Sequence, residues 1–312
     1  MKVLVTGGAG FIGSNVVDAL IEKGYDVCVV DNLSTGKEAN VNKKARLHRC
    51  DICDVNALSA VFEKEKPEAV MHLAAQINVR SSLADPLFDA RTNVLGAINL
   101  LECCKKHGVR KVVYSSSGGA VYGEPRGNPV DENHPVAPLS PYGASKYAVE
   151  KYLDFYGAVH GLDFVILRYG NVYGPRQDPA GEAGVIAIFT DRMLAGQRIT
   201  INDDGDQTRD FVYVGDVAKA NVLALEKDTK GMKERAFNIG DGTPTSVNDI
   251  VRGLEAAVQT KVDVKHGPAI KGEVRHIYLN IDKAMKQLGF RPTVSFEEGL
   301  KLTVKWAKER RK

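Results

Sequence analysis

Apolar positions in the first 170 residues gather into six short runs: KVLVT (2–6), DVCVVD (26–31), RLHRC (46–50), EAVMHLA (68–74), KVVYSSS (111–117) and DFVILRYG (163–170). Most are rich in β-branched residues and nearly continuous in hydrophobicity, the pattern of strands covered on both faces. Between them lie segments with apolar residues at helical spacing, such as FIGSNVVDALIEKG (11–24) and ARTNVLGAINLLECCKKHG (90–108). The alternation predicts an α/β fold, a Rossmann-type doubly wound parallel sheet with helices on both faces. Ligands of such a sheet sit outside the carboxyl ends of its strands.

After Asn171 the rhythm changes. VYGPRQDPAGEAG (172–184) is rich in Gly and Pro, and the elements beyond it are shorter and less regular. A smaller C-terminal lobe is expected over 172–312, following a dinucleotide-binding unit over 1–171. RDFVYVGDVAKANVLAL (209–225) and AFNIG (236–240) are regular enough to pack back on the sheet. The last segment opens with Ser295 and Glu298 as a candidate capping box and carries Phe296, Leu300 and Val304 on one helical face.

Composition narrows the classes. The 312 residues are 44% hydrophobic and 26% charged with a net charge of +3, and no Lys/Arg block is long enough to track a nucleic-acid backbone. No run of about 18 apolar residues suggests a membrane span, and the chain enters its first strand without signal-peptide features, so a soluble cytoplasmic protein is expected. Five cysteines include a CxxC at Cys50 and Cys53. A zinc site needs about four ligands, and neither a second CxxC nor a His pair supplies the rest. Cys103 and Cys104 read as small apolar helix residues, and the odd count as free thiols in a reducing compartment. The seven histidines (48, 72, 107, 134, 160, 266 and 276) lack metal spacing, so no metal is expected.

The turn TGGAGFIG carries the first chemical signal. Gly8, Gly10 and Gly13 satisfy GxGxxG, while Gly7, Gly10 and Gly13 satisfy GxxGxxG, between a strand and an amphipathic helix. A diphosphate can approach such a backbone closely, at a helix N-terminus where N–H groups and the dipole favour negative charge. Asp31 ends the second strand, 18 residues beyond Gly13, where its carboxylate can accept from both hydroxyls of an adenosine ribose. It would repel a 2′-phosphate, so NAD is expected rather than NADP.

SPYGASKYAVEKY (140–152) holds the same spacing twice, Tyr142 with Lys146 and Tyr147 with Lys151. Ser140 and Pro141 suit an N-cap and first helical residue, which places Tyr142 in the first turn. At roughly 100° per residue, Lys146 returns to within about 40° of Tyr142, whereas the second pair lies about 140° away. The two pairs cannot serve one site. Lowering a phenol from about 10 to about 7 takes roughly 4 kcal/mol of preferential phenolate stabilisation. A helix N-terminus, an ammonium one turn away and a nicotinamide cation could together supply it, and Tyr142 has all three within reach. Tyr147 and Lys151 suit packing or a subunit contact. A hydroxyl should accompany this base, and the end of the fifth strand offers Ser117, with Ser116 in reserve.

Taken together, TGGAGFIG, Asp31, HLAAQ, SSSGGAVYG, PYGASK and LRYGNVYGPRQ resemble the extended short-chain dehydrogenase/reductase family. GEAGVIAIF, GDQTRDFVYVGDVAKAN and FNIGDG look like its UDP-glucose 4-epimerase branch, an isomerase. The resemblance implies Tyr142 as base, Lys146 as its ribose and phenolate partner, and Ser117 as the ligand of the substrate hydroxyl. For NAD it implies Gly7, Gly10, Phe11, Ile12, Gly13, Asp31, Asn32, Asp51, Ile52, Leu73, Ala74, Ala75, Asn93 and Ser115. Asn171 and Arg209 are implied as ligands of the substrate diphosphate. Where many relatives carry Arg-Pro-Gly-Asp, this chain reads Ile270-Lys271-Gly272-Glu273, and the missing arginine's role passes to Arg275. Asn238 and Asp216 lie in family-like motifs but read as turn and cap residues. Relatives commonly dimerise through helices around Thr92 to Lys106 and Tyr142 to Tyr156, which implies a homodimer.

Relatives share an opening step in which a sugar C4 hydroxyl loses its proton to the tyrosine and its hydride to NAD. Dehydratases then need a carboxylate just beyond the serine, where this chain has Gly118, Gly119 and Ala120. Return of the hydride to the opposite face remains, and the expected reaction is reversible epimerisation of UDP-glucose and UDP-galactose. The alternatives are a UDP-N-acetylhexosamine or UDP-uronate 4-epimerase and, from another class, a non-catalytic dinucleotide-sensing protein.

Overall fold

Each of the six apolar runs forms a strand: β1 (Lys2–Thr6), β2 (Asp26–Asp31), β3 (Arg46–Arg49), β4 (Ala69–His72), β5 (Lys111–Ser117) and β6 (Asp163–Tyr169). The fold comes from a computed structural model that describes residues 1–180, 184–269 and 274–311. Six further strands follow: β7 (Asn171–Tyr173), β8 (Ile199–Asn202), β9 (Thr208–Tyr213), β10 (Ala236–Ile239), β11 (Pro244–Ser246) and β12 (Val264–Gly267).

Seven strands make one parallel sheet in the order β3-β2-β1-β4-β5-β6-β10. The order runs outward in both directions from β1 and β4, so the loops after these two strands diverge and open a crevice at their carboxyl ends. Alternate residues of β1 feed different cores. Val3 and Val5 join the first helix α1 (Phe11–Glu22) and the helix Val214–Glu226, whereas Leu4 joins Phe62, Leu100, Val149 and Leu153 on the opposite face. Strands covered on both sides need apolar residues at every position, which is why the runs are continuous.

AFNIG does pack back on the sheet, as its seventh strand β10 beside β6. The strand of RDFVYV goes elsewhere: β9 lies between β7 and β11 in a three-stranded sheet. Its following helix returns to the main core, and so do Ile277, Leu279, Ile281 and Phe290. A third core belongs to the smaller lobe, with Phe189, Ile201, Phe211, Leu254, Leu300 and Val304 buried together and Phe296 against them. Ser295 caps the last helix one-sidedly, accepting from the Glu298 N–H at 3.3 Å. A reciprocal capping box forms instead at Ser246 and Asp249.

The five cysteines are free thiols, four of them buried. Burial pushes the Cys28 thiol up to about 12 and those of Cys50 and Cys53 up to about 11, as befits unreactive packing groups. Among the described residues no helix is long and apolar enough to cross a membrane.

Candidate active site

A cleft of about 1060 Å³ runs along the carboxyl edge of the sheet. At one end β1 turns into α1. Gly7 adopts φ 70°, and a Cβ there would meet Ala74 N at 2.7 Å. A Cβ on Gly13 would lie 2.1 Å from the Gly7 carbonyl oxygen. Gly7, Gly10 and Gly13 line the cleft, so GxxGxxG is the operative spacing; a Cβ on Gly8 would instead meet the Val29 side chain. Gly10 is the N-cap of α1 and has no side chain to cap it, which leaves the first N–H groups and the dipole to an anion.

Asp31 stands next along the wall, its carboxylate accepting from Ala9 N (2.9 Å) and Leu33 N (2.8 Å). Asn32 donates to Asp51 at 2.9 Å and Cys53 N to the other Asp51 oxygen at 2.8 Å. Burial opposes ionisation of Asp51, but these bonds outweigh it and hold the carboxyl below its ordinary range. Phe11, Ile12, Ile52, Leu73, Ala74 and Ala75 complete this part of the lining. An uncapped helix terminus, a ribose-height carboxylate and a largely apolar slot fit a dinucleotide such as NAD.

The other end is built by β5 and the helix Pro141–His160. Ser140 caps this helix, accepting from Gly143 N at 3.1 Å, with Pro141 first in line. Tyr142 is thereby fixed in the first turn, and its N–H donates to the Ser82 hydroxyl at 3.2 Å. Ser117 at the end of β5 hydrogen-bonds the Tyr142 phenol. Ser116 is committed elsewhere, donating to the buried Glu150 at 2.6 Å, and Glu150 pairs with Arg168 at 2.6 Å. Lys146 is buried and donates to the Ser115 carbonyl at 2.8 Å, with its Nζ 6.0 Å from the Tyr142 ring centre.

Burial dominates the electrostatics. It pushes the Tyr142 phenol up to about 12, against the pull of the Ser117 hydrogen bond and with a further push from Asp89. The same burial lowers the Lys146 ammonium to about 8, while Asp89 and Glu150 oppose that fall. The protein's own groups therefore do not bring Tyr142 down to neutrality, and the fixed positive charge of an oxidised nicotinamide is the contribution still to be added.

Asp89 is the residue the sequence did not disclose. It is fully buried, accepts from Gln76 (2.9 Å) and Asn93 (3.1 Å) on one oxygen, and takes the Ser145 hydroxyl on the other. It thus joins the loop after β4 to the helix Pro141–His160. Its only sequence signal is the i, i+4 step to Asn93 on one helical face.

Of the expected residues, all the cofactor-wall positions but one line the cleft, and so do Ser115, Ser117, Tyr142, Lys146, Asn171 and Arg209. Asn93, expected in the helix behind the dinucleotide, is buried behind the wall, where it bonds both main-chain groups of Gln76 and so sets the wall's position. Arg275 is displaced from its expected role. Its guanidinium is held by Asp203 (2.8 Å) and Asp204 (2.5 Å), away from the cleft, and only its carbonyl reaches Arg209. Ile270 to Glu273, the departing stretch, lie outside the described residues, as do Gly181 to Ala183 in GEAGVIAIF. Tyr147 and Lys151 form a separate pair, the ammonium 5.1 Å over the ring and bonded to Asp154. Gly119 and Ala120 line the cleft beside Ser117 and bring no carboxylate there.

A doubly wound sheet with a diphosphate turn at one end of its crevice and a Ser-Tyr-Lys set at the other defines a nicotinamide-dinucleotide enzyme of the short-chain dehydrogenase/reductase type. Residues 3–240 match the NAD dependent epimerase/dehydratase family, and the chain belongs to it. A putative UDP-glucose 4-epimerase of Methanocaldococcus jannaschii is 51% identical over 306 residues, 98% of each chain. Among solved structures, UDP-glucose 4-epimerase of Thermotoga maritima with UDP-glucose superposes with a TM-score of 0.96 at 48% identity, covering 100% of both chains. The UDP-glucose 4-epimerase of Thermus thermophilus in complex with NAD gives 0.93 at 45% identity and 99% coverage of both.

Proposed function

We propose that the protein is an NAD-dependent UDP-glucose 4-epimerase, interconverting UDP-glucose and UDP-galactose through a 4-ketose. NAD bound along the cleft supplies a hydride acceptor that can return what it receives. Tyr142 takes the proton of the C4 hydroxyl and later gives it back; Ser117 hydrogen-bonds that hydroxyl and the phenol; Lys146 holds positive charge beside the phenolate. Asn171 and Arg209 anchor the UDP diphosphate while the ketose turns over. The carrying observation is that Ser117, Tyr142 and Lys146 line the same cleft as the diphosphate turn, with glycine and alanine where elimination would need a carboxylate.

In this reading residues 1–171 are chiefly the cofactor lobe and 172–312 chiefly the nucleotide-sugar lobe. Free buried thiols suit a reducing compartment and support placing the protein in the cytoplasm. A homodimer is supported by apolar side chains left outward on packed neighbours: Leu87 is 75% exposed, Leu95 54%, Phe155 48% and Val159 61%. Light scattering should give twice the chain mass, and Leu87→Glu with Phe155→Glu should halve it.

The activity test uses purified protein and UDP-galactose with no added NAD. UDP-glucose should form, and Tyr142→Phe should lose both turnover and reduction of bound cofactor. Intact protein without turnover on UDP-galactose, but active on the N-acetylated or uronate analogue, would move the reading to those sugars.

A further inference from the structure

Beyond β7 the chain runs through Gly174 to Asp178 and crosses back to the cofactor lobe. Three contacts stitch it there. Asn15 of α1 donates to the Pro175 carbonyl (3.4 Å), Arg176 pairs with Asp18 of α1 (2.6 Å), and Lys37, from the loop after β2, pairs with Asp178. Arg176 is held in the left-handed backbone region, φ 75°, which a residue other than glycine keeps only when its surroundings fix it. Its Nη1 and the Gln177 Oε1 are buried without hydrogen-bond partners.

The anchor points define what this segment covers. Asn15 and Asp18 lie on the helix whose N-terminus forms the diphosphate turn. Lys37 follows Asp31, and its N–H donates to Ala9 within that turn at 3.0 Å. Arg176, Gln177 and Asp178 line the same cleft as Gly10 and Asp31. The segment therefore spans from the diphosphate cradle to the ribose carboxylate.

We propose that Gly174–Asp178 is a further part of the cofactor site, a strap from the smaller lobe that closes over the diphosphate and adenosine ribose of NAD and sets how slowly NAD leaves. The inference rests on the cofactor reading above. It suits a reaction that returns its hydride within each turnover, because such an enzyme has no use for cofactor exchange and loses the ketose if reduced cofactor escapes midway.

The test measures release of NAD from purified holoenzyme after rapid dilution into a trap of an NAD-consuming dehydrogenase. Asp178→Ala and Asp18→Ala should each speed release on the order of twofold to fivefold, the worth of a partly exposed ion pair. The double exchange Lys37→Asp with Asp178→Lys should return the rate toward the wild-type value. Asp154→Ala, which breaks an ion pair on the outer face of the catalytic helix, should leave release unchanged. Raised ionic strength should speed wild-type release more than that of Asp178→Ala, which needs no folding comparison. Unchanged release in the strap variants, or a change in KM for UDP-galactose with NAD release untouched, would overturn the strap. Wild-type protein that holds no NAD would instead count against the cofactor reading itself.

Discussion

Tyr142 and Lys146 are brought together by their four-residue spacing, yet their surroundings drive them apart in pKa, the phenol to about 12 and the ammonium to about 8. Asp89 acts on both in the same sense: its negative charge raises the phenol and raises the ammonium. Asp89→Asn removes that charge while keeping the shape, since an amide can still accept from Gln76 and Asn93 and donate to Ser145. Both groups should then lose their protons more readily. The acid limb of the pH profile for reduction of bound cofactor by UDP-galactose should move down, by up to about one pH unit for a charge this near. A purely structural role would lower the rate at every pH without moving the limb. At this scale the sequence showed the chemistry-bearing residues with a motif around them and hid those defined by a distant partner. Arg275 stands beside the diphosphate loop in the chain, but Asp203 and Asp204, some seventy positions earlier, claim its guanidinium.

At the scale of elements, the two helices that matter most begin in opposite ways. The helix α1 starts at Gly10 with no side-chain cap, leaving its N-terminus to a ligand, whereas the helix bearing Tyr142 is closed by Ser140. Ser140→Ala should therefore cost about 1 kcal/mol of stability, the usual worth of a cap, measured by urea unfolding. It should also lower turnover more than cofactor content, because the first turn that frays is the one bearing Tyr142. Both helix starts were legible, since glycine turns and Ser-Pro are local signals. Which sheet a strand joins is not local, and β9 went to β7 and β11 although its pattern matches the main sheet equally well. The π-helical turn Arg91–Leu95, which inserts a residue before the helix Gly96–Lys106 and turns Asn93 inward, left no periodicity to read either.

At the scale of the molecule, burial of ionisable groups fixes the acid response. His72 at the end of β4 is buried beside Thr6, and burial, with the nearby Lys146, lowers its pKa to about 3. The unfolded chain takes up this proton near 6.5 and the native state does not, so stability falls as pH drops from about 6.5 to 3. Asp210 has the opposite sign. Burial raises its carboxyl to about 6 despite N–H bonds from Asp241, Gly242 and Leu279, so the native state binds the proton first and gains stability as pH falls from about 6 to 3.8. Over about pH 6 to 4.5 the two nearly cancel. Below that Glu65, held at about 2 by Lys2, His48 and Arg46 against the opposition of burial, adds its loss to that of His72, and the gain from Asp210 runs out toward pH 3.8. Urea midpoints should accordingly stay level from pH 6 to about 4.5 and then fall steeply. Asp210→Asn removes the compensating group, and its midpoint should begin to fall near pH 6, with a slope of about 1.4 kcal/mol per pH unit from His72 alone.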